Sequence, residues 1–195
     1  MVVDLARQFL DNLVEIQPGY QARGKIIESP IGSHLLLQAK DIINESLTWD
    51  TSIKFDPDLN PDRYRIKHND ILFIARGYEN KAYLANNPPD NLLASNIFYI
   101  IKPQEIHPGF LAWWLNQKPA QAYFAQFQVK MGFAYLSKKN LSNLKIPLPP
   151  RETQEKIAAV QELWERENSL SNEIADLKKK IITSACLSTI HRNEG

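Results

Sequence analysis

The distribution of proline constrains the fold of this chain more than any other feature, because proline breaks helices by removing a backbone donor. All 12 prolines lie at or before Pro150, and no glycine lies between Gly132 and Gly195. The segment after Pro150 can therefore form one long helix. Before it, Pro-Gly, Pro-Pro and Asn/Asp pairs separate short apolar runs, as is typical of strands and loops. We predict an α+β fold, with a mixed strand-and-loop domain with packed helices over residues 1–150 and one long C-terminal helix over residues 151–195.

Short apolar runs bounded by turn residues indicate strands in the first part of the chain. From Phe110 to Leu115 the apolar spacing becomes helical, and Pro119 suits the first turn of a second helix. Ser137 is the expected N-cap of a short third helix, and Lys145–Pro150 is expected to be extended because prolines restrict themselves and their predecessors. The predicted strands are His34–Gln38, Asp70–Ala75 and Asn96–Ile101, with a weaker one at Lys81–Ala85.

A heptad pattern runs from Glu152 to about Ser184, with mostly apolar residues at the a and d positions and mostly Glu, Lys, Gln and Asn between them. Such a helix, roughly 50 Å long at 1.5 Å per residue, needs another helix to cover its apolar stripe. That helix can come from a second copy or from a partner. A helix folded back onto its own domain is the alternative. The predicted coiled-coil contacts are Val160, Leu163, Leu170, Ile174, Leu177 and Ile181.

The charge distribution says more than the total charge. With 23 Lys+Arg against 22 Asp+Glu, the formal net charge of +1 taken alone argues against nucleic-acid binding. However, no acidic residue lies between Glu105 and Glu152, so this stretch can form a local positive surface on a nearly neutral chain. The alternative is an ordinary solvated surface on a helix-mediated interaction protein with no DNA role. The cations of the stretch are Lys118, Lys130, Lys138, Lys139, Lys145 and Arg151.

Composition argues against several other classes of protein. A single cysteine excludes a disulfide framework and indicates a reducing compartment, so we expect a cytoplasmic protein. We expect neither a membrane span nor a signal peptide, because no apolar run approaches the required length. The four histidines are scattered and offer no zinc spacing, and no glycine-rich phosphate or dinucleotide loop is present. We therefore expect no metal and no cofactor.

One short pattern leaves an enzymatic alternative open. Pro61-Asp62 followed by Glu79-Asn80-Lys81 matches the Pro-Asp…(Asp/Glu)-x-Lys pattern of nucleases. In such sites two carboxylates hold Mg²⁺ and a lysine assists the attacking water. The pattern is short and arises by chance in charged loops. The alternative function is a Mg²⁺-dependent nuclease that uses Asp62, Glu79 and Lys81.

The junction before the long helix carries a more specific signal. Asn143–Pro150 reads N-L-K-I-P-L-P-P and is followed by Gln154, Ile157 and a charged helix. This resembles the specificity subunit of type I restriction–modification systems, where an I-P-L-P-P strand closes a target-recognition domain. Arg151 and Thr153 stand where that family usually has Leu and Glu. Shorter motifs agree in their order along the chain: Gly19–Lys25, Gln38–Ile42, Asn69–Phe73, Arg76-Gly77 and Gly132 with Leu136-Ser137.

The resemblance, which runs from about Val14 to Ile182, implies a DNA-reading subunit without catalysis of its own. Its recognition domain would approach the major groove of double-stranded DNA, with lysines and arginines on phosphates and polar side chains on base edges. The helix would dock methyltransferase subunits, and restriction would need a separate motor–nuclease subunit. Gln38 could read adenine if its strand end faces the groove. The predicted DNA contacts are Arg23, Lys25, Gln38, Arg76, Tyr78, Asn80, Lys81, Lys130, Ser137, Lys138 and Lys139.

Typical family members contain two recognition domains and two helices, whereas this chain contains one set. The resemblance therefore implies a half-length form, in which each chain reads one half-site. Two copies joined through antiparallel helices would have twofold symmetry. Such a homodimer would prefer an inverted repeat with a gap of about one helical turn. Pairing with a different specificity subunit is the alternative.

Overall fold

The structure is a computed structural model that describes residues 6–43, 46–77, 79–128 and 135–192. The chain divides into two compact units, residues 1–158 and residues 159–195. The first unit contains short strands and helices, and the second, as far as it is described, is the distal part of one long helix. The predicted α+β class is confirmed. None of the helices in the described ranges combines the length and hydropathy needed to cross a membrane.

In the described residues, a series of short strands comes first, and three helices and one further strand follow before the long C-terminal helix. The strands are β1 (Arg7–Phe9), β2 (Val14–Pro18), β3 (His34–Leu37), β4 (Ile42–Ile43), β5 (Ser46–Leu47), β6 (Ile53–Phe55), β7 (Ile71–Ile74), β8 (Ala82–Leu84), β9 (Leu92–Ala94), β10 (Phe98–Pro103) and β11 (Lys145–Pro147). The helices are α1 (Pro108–Leu115), α2 (Lys118–Gln128), α3 (Lys138–Ser142) and α4 (Arg151–Arg192).

A four-stranded antiparallel sheet in the order β2-β10-β7-β8 lies at the centre of the first unit. Its inner strands are continuously apolar because both of their faces are buried. Phe73 and Tyr99 belong to the core cluster that also contains residues of α1, α2 and α3. Leu72 and Ile100 point to the opposite face, into a cluster shared with β3 and β9. The sheet is therefore the middle layer of the unit.

The second sheet has the order β6-β3-β9, and two strand pairs complete the unit, β1 with β11 and β4 with β5. Strands β3 and β9 run parallel, with Leu35 opposite Leu92 and Leu37 opposite Ala94. Their carboxyl ends therefore lie at the same edge. This parallel pairing matters for the candidate site, because it brings together loops that are far apart in the sequence.

The local predictions hold for most elements before the long helix. Strands β3, β7, β8 and β10 lie where they were predicted, with ends shifted by at most two residues. Helix α2 has Pro119 in its first turn, as expected. Ser137 is the N-cap of α3, and its Oγ accepts a hydrogen bond from the Asn140 backbone N–H at 3.2 Å. The segment Lys145–Pro147 is extended and pairs with β1.

The first two turns of α4 belong to the first unit. Gln154 is buried there, with 4% of its surface exposed. Its Oε1 accepts from the His107 backbone N–H at 2.8 Å, and its Nε2 donates to the Pro149 carbonyl at 2.8 Å. One amide thus ties the start of α4 to the N-terminus of α1 and to the junction strand. These two hydrogen bonds explain why a glutamine stands at the start of α4: its side chain has a structural role.

Gln154→Met is expected to destabilise the first unit by about 2 kcal/mol. Methionine has a similar volume, but it leaves a buried N–H and a buried carbonyl without partners, and each loss costs roughly 1–3 kcal/mol before relaxation. Urea denaturation followed by tryptophan fluorescence measures the change. The exposed neighbour supplies a control, since Thr153→Ala should stay within about 0.5 kcal/mol of the parent. Equal stability of the two variants would contradict the assigned role of Gln154.

The second unit carries a long exposed apolar stripe. Helix α4 has 42 residues, which corresponds to roughly 60 Å at 1.5 Å per residue. Exposed apolar surface of this extent marks an interaction site rather than a random surface feature. The predicted coiled-coil residues are between 51% and 68% exposed: Val160, Leu163, Leu170, Ile174, Leu177 and Ile181.

Candidate nucleic-acid interface

Several predicted contact segments meet where strands β2, β3 and β9 end. The backbone N–H of Ser95, directly after β9, donates to the Leu37 carbonyl at the end of β3, at 2.9 Å. The N–H of Tyr20, which follows β2, donates to the Ala94 carbonyl at 2.6 Å. Because β3 and β9 are parallel, these bonds hold Gln38 and the loop after Tyr20 beside the same turn.

The same turn also contacts the end of β7. The Ala75 N–H donates to the Ile97 carbonyl at 2.9 Å, and the Leu136 N–H donates to the Ala75 carbonyl at 2.9 Å. Arg76 and Tyr135 then form an isolated antiparallel bridge. Backbone hydrogen bonds therefore connect five segments that are distant in sequence. We call this surface the strand-end edge, and it comprises residues 20–26, 37–39, 75–76, 95–97 and 135–139.

Arg76 is positioned by two tyrosines. Its guanidinium carbon lies 5.6 Å from the centre of the Tyr135 ring, a cation–π distance. The Tyr135 hydroxyl is 2.6 Å from the hydroxyl of Tyr99, which is only 4% exposed. Burial, and then the hydrogen bond to Tyr135, raise the pKa of Tyr99 above its ordinary value, so this phenol stays neutral at physiological pH. Tyr135 thus supports an exposed cation, and the buried phenol behind it adds no negative charge.

Helix α3 adds two cations to the strand-end edge. Lys138 and Lys139 are exposed in its first turn, directly after the cap residue Ser137. The hydroxyl of Ser137 is occupied by its capping bond to Asn140. Ser137 therefore has a structural role here, whereas its two neighbours offer ammonium groups to solvent. No acidic residue lies between Glu105 and Glu152 in the sequence. The acidic contact to α3 comes from a distant segment, where Asp11 Oδ1 accepts from the Ser142 hydroxyl at 3.0 Å at the other end of the helix.

The loop that carries Arg23 and Lys25 is held by an aspartate that sequence analysis did not single out. Asp58 accepts hydrogen bonds from the Tyr20 hydroxyl and from the Arg23 backbone N–H, the latter at 2.9 Å. The Tyr20 bond, followed by the Arg23 bond, lowers the pKa of Asp58, so the carboxylate remains ionised at neutral pH. The side chains of Arg23 and Lys25 are exposed. The anchor is thus local to the loop, and the cations stay available.

A cleft of about 360 Å³ opens between three segments of the strand-end edge, residues 20–26, 38–39 and 95–97. Its walls combine amide and hydroxyl groups with small apolar side chains. Gln38, a predicted contact, lines it. Asn96 also lines it, although the sequence suggested only the start of a strand at that position. The main lining residues are Gln21, Ile26, Gln38, Ser95, Asn96 and Ile97.

The remaining predicted contacts do not all reach this surface. Asn80 is 2% exposed, and its Nδ2 donates to the Ile74 carbonyl at 2.8 Å. This burial argues against Asn80 as a DNA contact, and we assign it a structural role instead. The Nζ of Lys81 lies 3.9 Å from Glu79 Oε2, an ion pair that reduces its net positive field. Tyr78 and Lys130 lie outside the described residues.

The nuclease alternative gains no support from the geometry. Asp62 lies on the short turn of 3₁₀-helix at Pro61–Tyr64 and forms an ion pair with Arg65 Nε at 3.1 Å. Glu79 is paired with Lys81 instead. Across the described ranges, no group of three or more His, Cys, Asp or Glu is arranged to hold a metal ion. The strand-end edge remains the better candidate site.

Solved structures similar to this chain share its fold. A chain from a study of complex assembly and conformational transition of the type I R-M system has 20% identity and a TM-score of 0.66, over 92% of this chain and 43% of that one. The HsdS subunit from Thermoanaerobacter tengcongensis has 18% identity and a TM-score of 0.60, over 86% of this chain and 38% of that one. The type I restriction–modification S subunit from M. genitalium has 16% identity and a TM-score of 0.58, over 88% and 42%.

The sequence itself also identifies the family. This chain spans about two fifths of the length of the similar solved chains. A search of curated proteins found no match. Residues 36–179 match the model of the family described as "Type I restriction modification DNA specificity domain". That match includes part of β3, strands β4 to β11 and most of α4, so it covers the strand-end edge except residues 20–26 and the apolar stripe except Ile181. The chain therefore belongs to the type I restriction–modification DNA specificity family.

Proposed function

We propose that this chain is a sequence-specific DNA-binding specificity subunit that reads one half-site and positions methyltransferase subunits, without catalysis of its own. One observation carries the proposal. The strand-end edge joins, through backbone hydrogen bonds, three segments with exposed cations, represented by Arg23, Arg76 and Lys138, and it contains a cleft lined by amides. Restriction would need a separate motor–nuclease subunit that binds the same assembly.

The arrangement suits double-stranded DNA for physical reasons. Exposed lysine and arginine side chains hold phosphates, and these contacts supply affinity without sequence information. Amide side chains between them can hydrogen-bond to base edges, which present a distinct pattern for each base pair in the major groove. The cations lie at an edge where four strands end, so rigid elements fix their spacing.

We further propose that two copies pair through α4. The stripe from Val160 to Ile181 is apolar and exposed, and an antiparallel pair of such helices buries both stripes. The resulting twofold symmetry places two recognition domains on one DNA molecule. The expected target is an inverted repeat whose half-sites are separated by a gap of about one helical turn. A mixed pair with another specificity subunit is the competing arrangement.

Salt-dependent DNA binding tests the proposed interface. Lys138→Ala/Lys139→Ala is expected to reduce the slope of log K against log salt concentration by about 1 per lysine, hence about 2 per chain. Fluorescence anisotropy with a mixed-sequence duplex measures this slope. Binding should weaken on all sequences alike, because phosphate contacts carry no base information.

The matched control also removes two lysine charges, but at the end of the central sheet that lies opposite the strand-end edge. Lys67 precedes β7, and Lys102 lies near the end of β10. Lys67→Ala/Lys102→Ala should leave the salt slope close to that of the parent. If the α3 variant keeps the parental slope, or if the parent binds DNA without salt dependence, the interface is wrong and an interaction protein without a DNA role is favoured.

A further inference from the structure

The cleft in the strand-end edge contains polar groups that the protein itself does not use. In the described part of the chain, the side chains of Gln21 and Asn96 have no hydrogen-bond partner. The Ser95 Oγ is buried and also lacks a partner, in a residue that is 8% exposed. A buried polar atom without a partner, here Ser95 Oγ, costs roughly 1–3 kcal/mol. Gln21 is exposed and Asn96 is half-buried, so both amides can reach a ligand that enters the cleft. The unsatisfied hydroxyl and the two amides, which line one cleft, point to a polar ligand.

The turn that presents Asn96 is held firmly. Before Asn96, the Ser95 N–H donates to the Leu37 carbonyl, and the Ser95 carbonyl accepts from the Phe98 N–H at 3.1 Å. After Asn96, the Ile97 carbonyl accepts from the Ala75 N–H. The turn is therefore fixed on both sides by strands of two different sheets. Base readout needs side chains held in this way, because a mobile amide loses discrimination.

Gln38 faces the same cleft from an equally fixed position. Its backbone N–H donates to Asp41 Oδ2 at 2.8 Å, and Asp41 is fully buried. The other carboxylate oxygen of Asp41 accepts from the Thr51 hydroxyl at 2.6 Å. The buried aspartate thus fixes the backbone of Gln38 at the end of β3, while the Gln38 side chain lines the cleft.

Cations flank the cleft along the chain segments that form it. The segment 21–26 lines one wall and carries Arg23 and Lys25. On another side, the bond between Ala75 and Ile97 places Arg76 one residue away from a lining segment. A duplex whose phosphates contact these cations would present base edges to the amides between them. Asparagine and glutamine amides match the N6 and N7 atoms of adenine in a bidentate manner.

We propose that Asn96 is a specificity-determining residue that reads an adenine edge in the major groove, with Gln38 reading a neighbouring position. This inference rests on the proposed DNA-binding function and assigns sequence readout to the cleft. The surrounding cations supply affinity without readout. Each half-site recognised by the chain therefore contains an A·T pair whose selection depends on Asn96.

The test is selection from a randomised double-stranded DNA library with the full chain. Asn96→Ala is expected to select the parental motif with one A·T position per half-site relaxed. Its affinity for the parental motif should fall about 5- to 150-fold per half-site, the equivalent of 1–3 kcal/mol. Gln38→Ala should relax a different, adjacent position. The control Asn86→Ala removes an exposed amide beyond β8, at the opposite edge of the central sheet, and should select the unchanged motif.

The outcomes separate this inference from the function on which it rests. A parental motif that Asn96→Ala also selects, with equal affinity, overturns the role of Asn96 and leaves the proposed function standing. A parent that selects no motif overturns the proposed function itself. Thermal melting of each variant by circular dichroism accompanies the selection, so that a folded Asn96→Ala protein with a relaxed position supports readout rather than misfolding.

Discussion

Replacing Leu170, Ile174 and Leu177 together by glutamate is expected to convert the proposed homodimer into a monomer. These side chains are 51%, 52% and 51% exposed in the single chain, and in the proposed pair the second helix buries them. Burying unpaired carboxylates in a helix–helix seam costs several kcal/mol, whereas glutamate itself is a good helix former. The helix should persist while the pairing is lost. Sedimentation equilibrium measures the mass, and circular dichroism measures the helix content.

The same substitution is expected to weaken binding to an inverted repeat by about 10²- to 10⁴-fold, because linked recognition domains gain effective concentration and separate ones do not. Binding to a single half-site should change little. A matched control adds the same charges to heptad positions outside the stripe: Ser169→Glu, Asn172→Glu and Thr183→Glu should stay dimeric. A parent that sediments as a monomer, or a stripe variant that remains a dimer, contradicts the proposed pairing.

Gly19→Ala is expected to destabilise the first unit by about 3 kcal/mol or more, at the upper end of overpacking effects. A Cβ at this position would lie 2.2 Å from the Ser95 carbonyl oxygen and 2.7 Å from that of Ala94. Both obstacles are backbone atoms, one in the last residue of β9 and one in the turn after it, so neither can rotate away. The bridge between Tyr20 and Ser95 would have to open. Urea denaturation measures the loss, and DNA affinity should fall with it because the strand-end edge includes this bridge.

A second glycine in the same region provides the control. A Cβ at Gly24 would meet nothing within 4 Å. Gly24→Ala is therefore expected to change the free energy of unfolding by no more than about 0.5 kcal/mol. If Gly19→Ala unfolds at the same urea concentration as Gly24→Ala, the close packing of the loop after β2 against the turn after β9 is wrong.

The sequence predicted the inner strands well because their residues are apolar on both faces. Strands β7 and β10 are uninterrupted runs bounded by turn residues, which is a strong local signal. Strand β9 was missed because its three residues, Leu92–Ala94, are all buried and show no alternation of apolar and polar side chains. Strand β2 was missed as well, because Glu15 and Pro18 interrupt its apolar pattern. It forms a strand because it pairs with β10, a contact that local sequence does not show.

The residues of the candidate site also fall into two groups, those that local sequence predicted and those that it did not. Arg76 and Lys138 were predicted from local features, a polar loop after a strand and an acid-free stretch, and the structure places both at the strand-end edge. Asn80 looked equivalent, yet its amide satisfies the Ile74 carbonyl inside the protein. Asn96 and Asp58 gave no usable signal. Their positions depend on the pairing of β3 with β9 and on the contact between Tyr20 and Asp58, which join residues far apart in the sequence.

The most direct measurement maps the methylation pattern obtained when this chain is combined with the product of a neighbouring methyltransferase gene, the proposed partner. The two are co-expressed in a host whose DNA lacks that modification, and methylated adenines are then mapped across the genome. We expect methylation at one inverted repeat with a non-specific gap. This methylation should require the chain, and its extent should fall when the chain carries Lys138→Ala/Lys139→Ala. Methylation that is absent, or that keeps the same sequence pattern when the chain is omitted, would contradict its role as the specificity subunit.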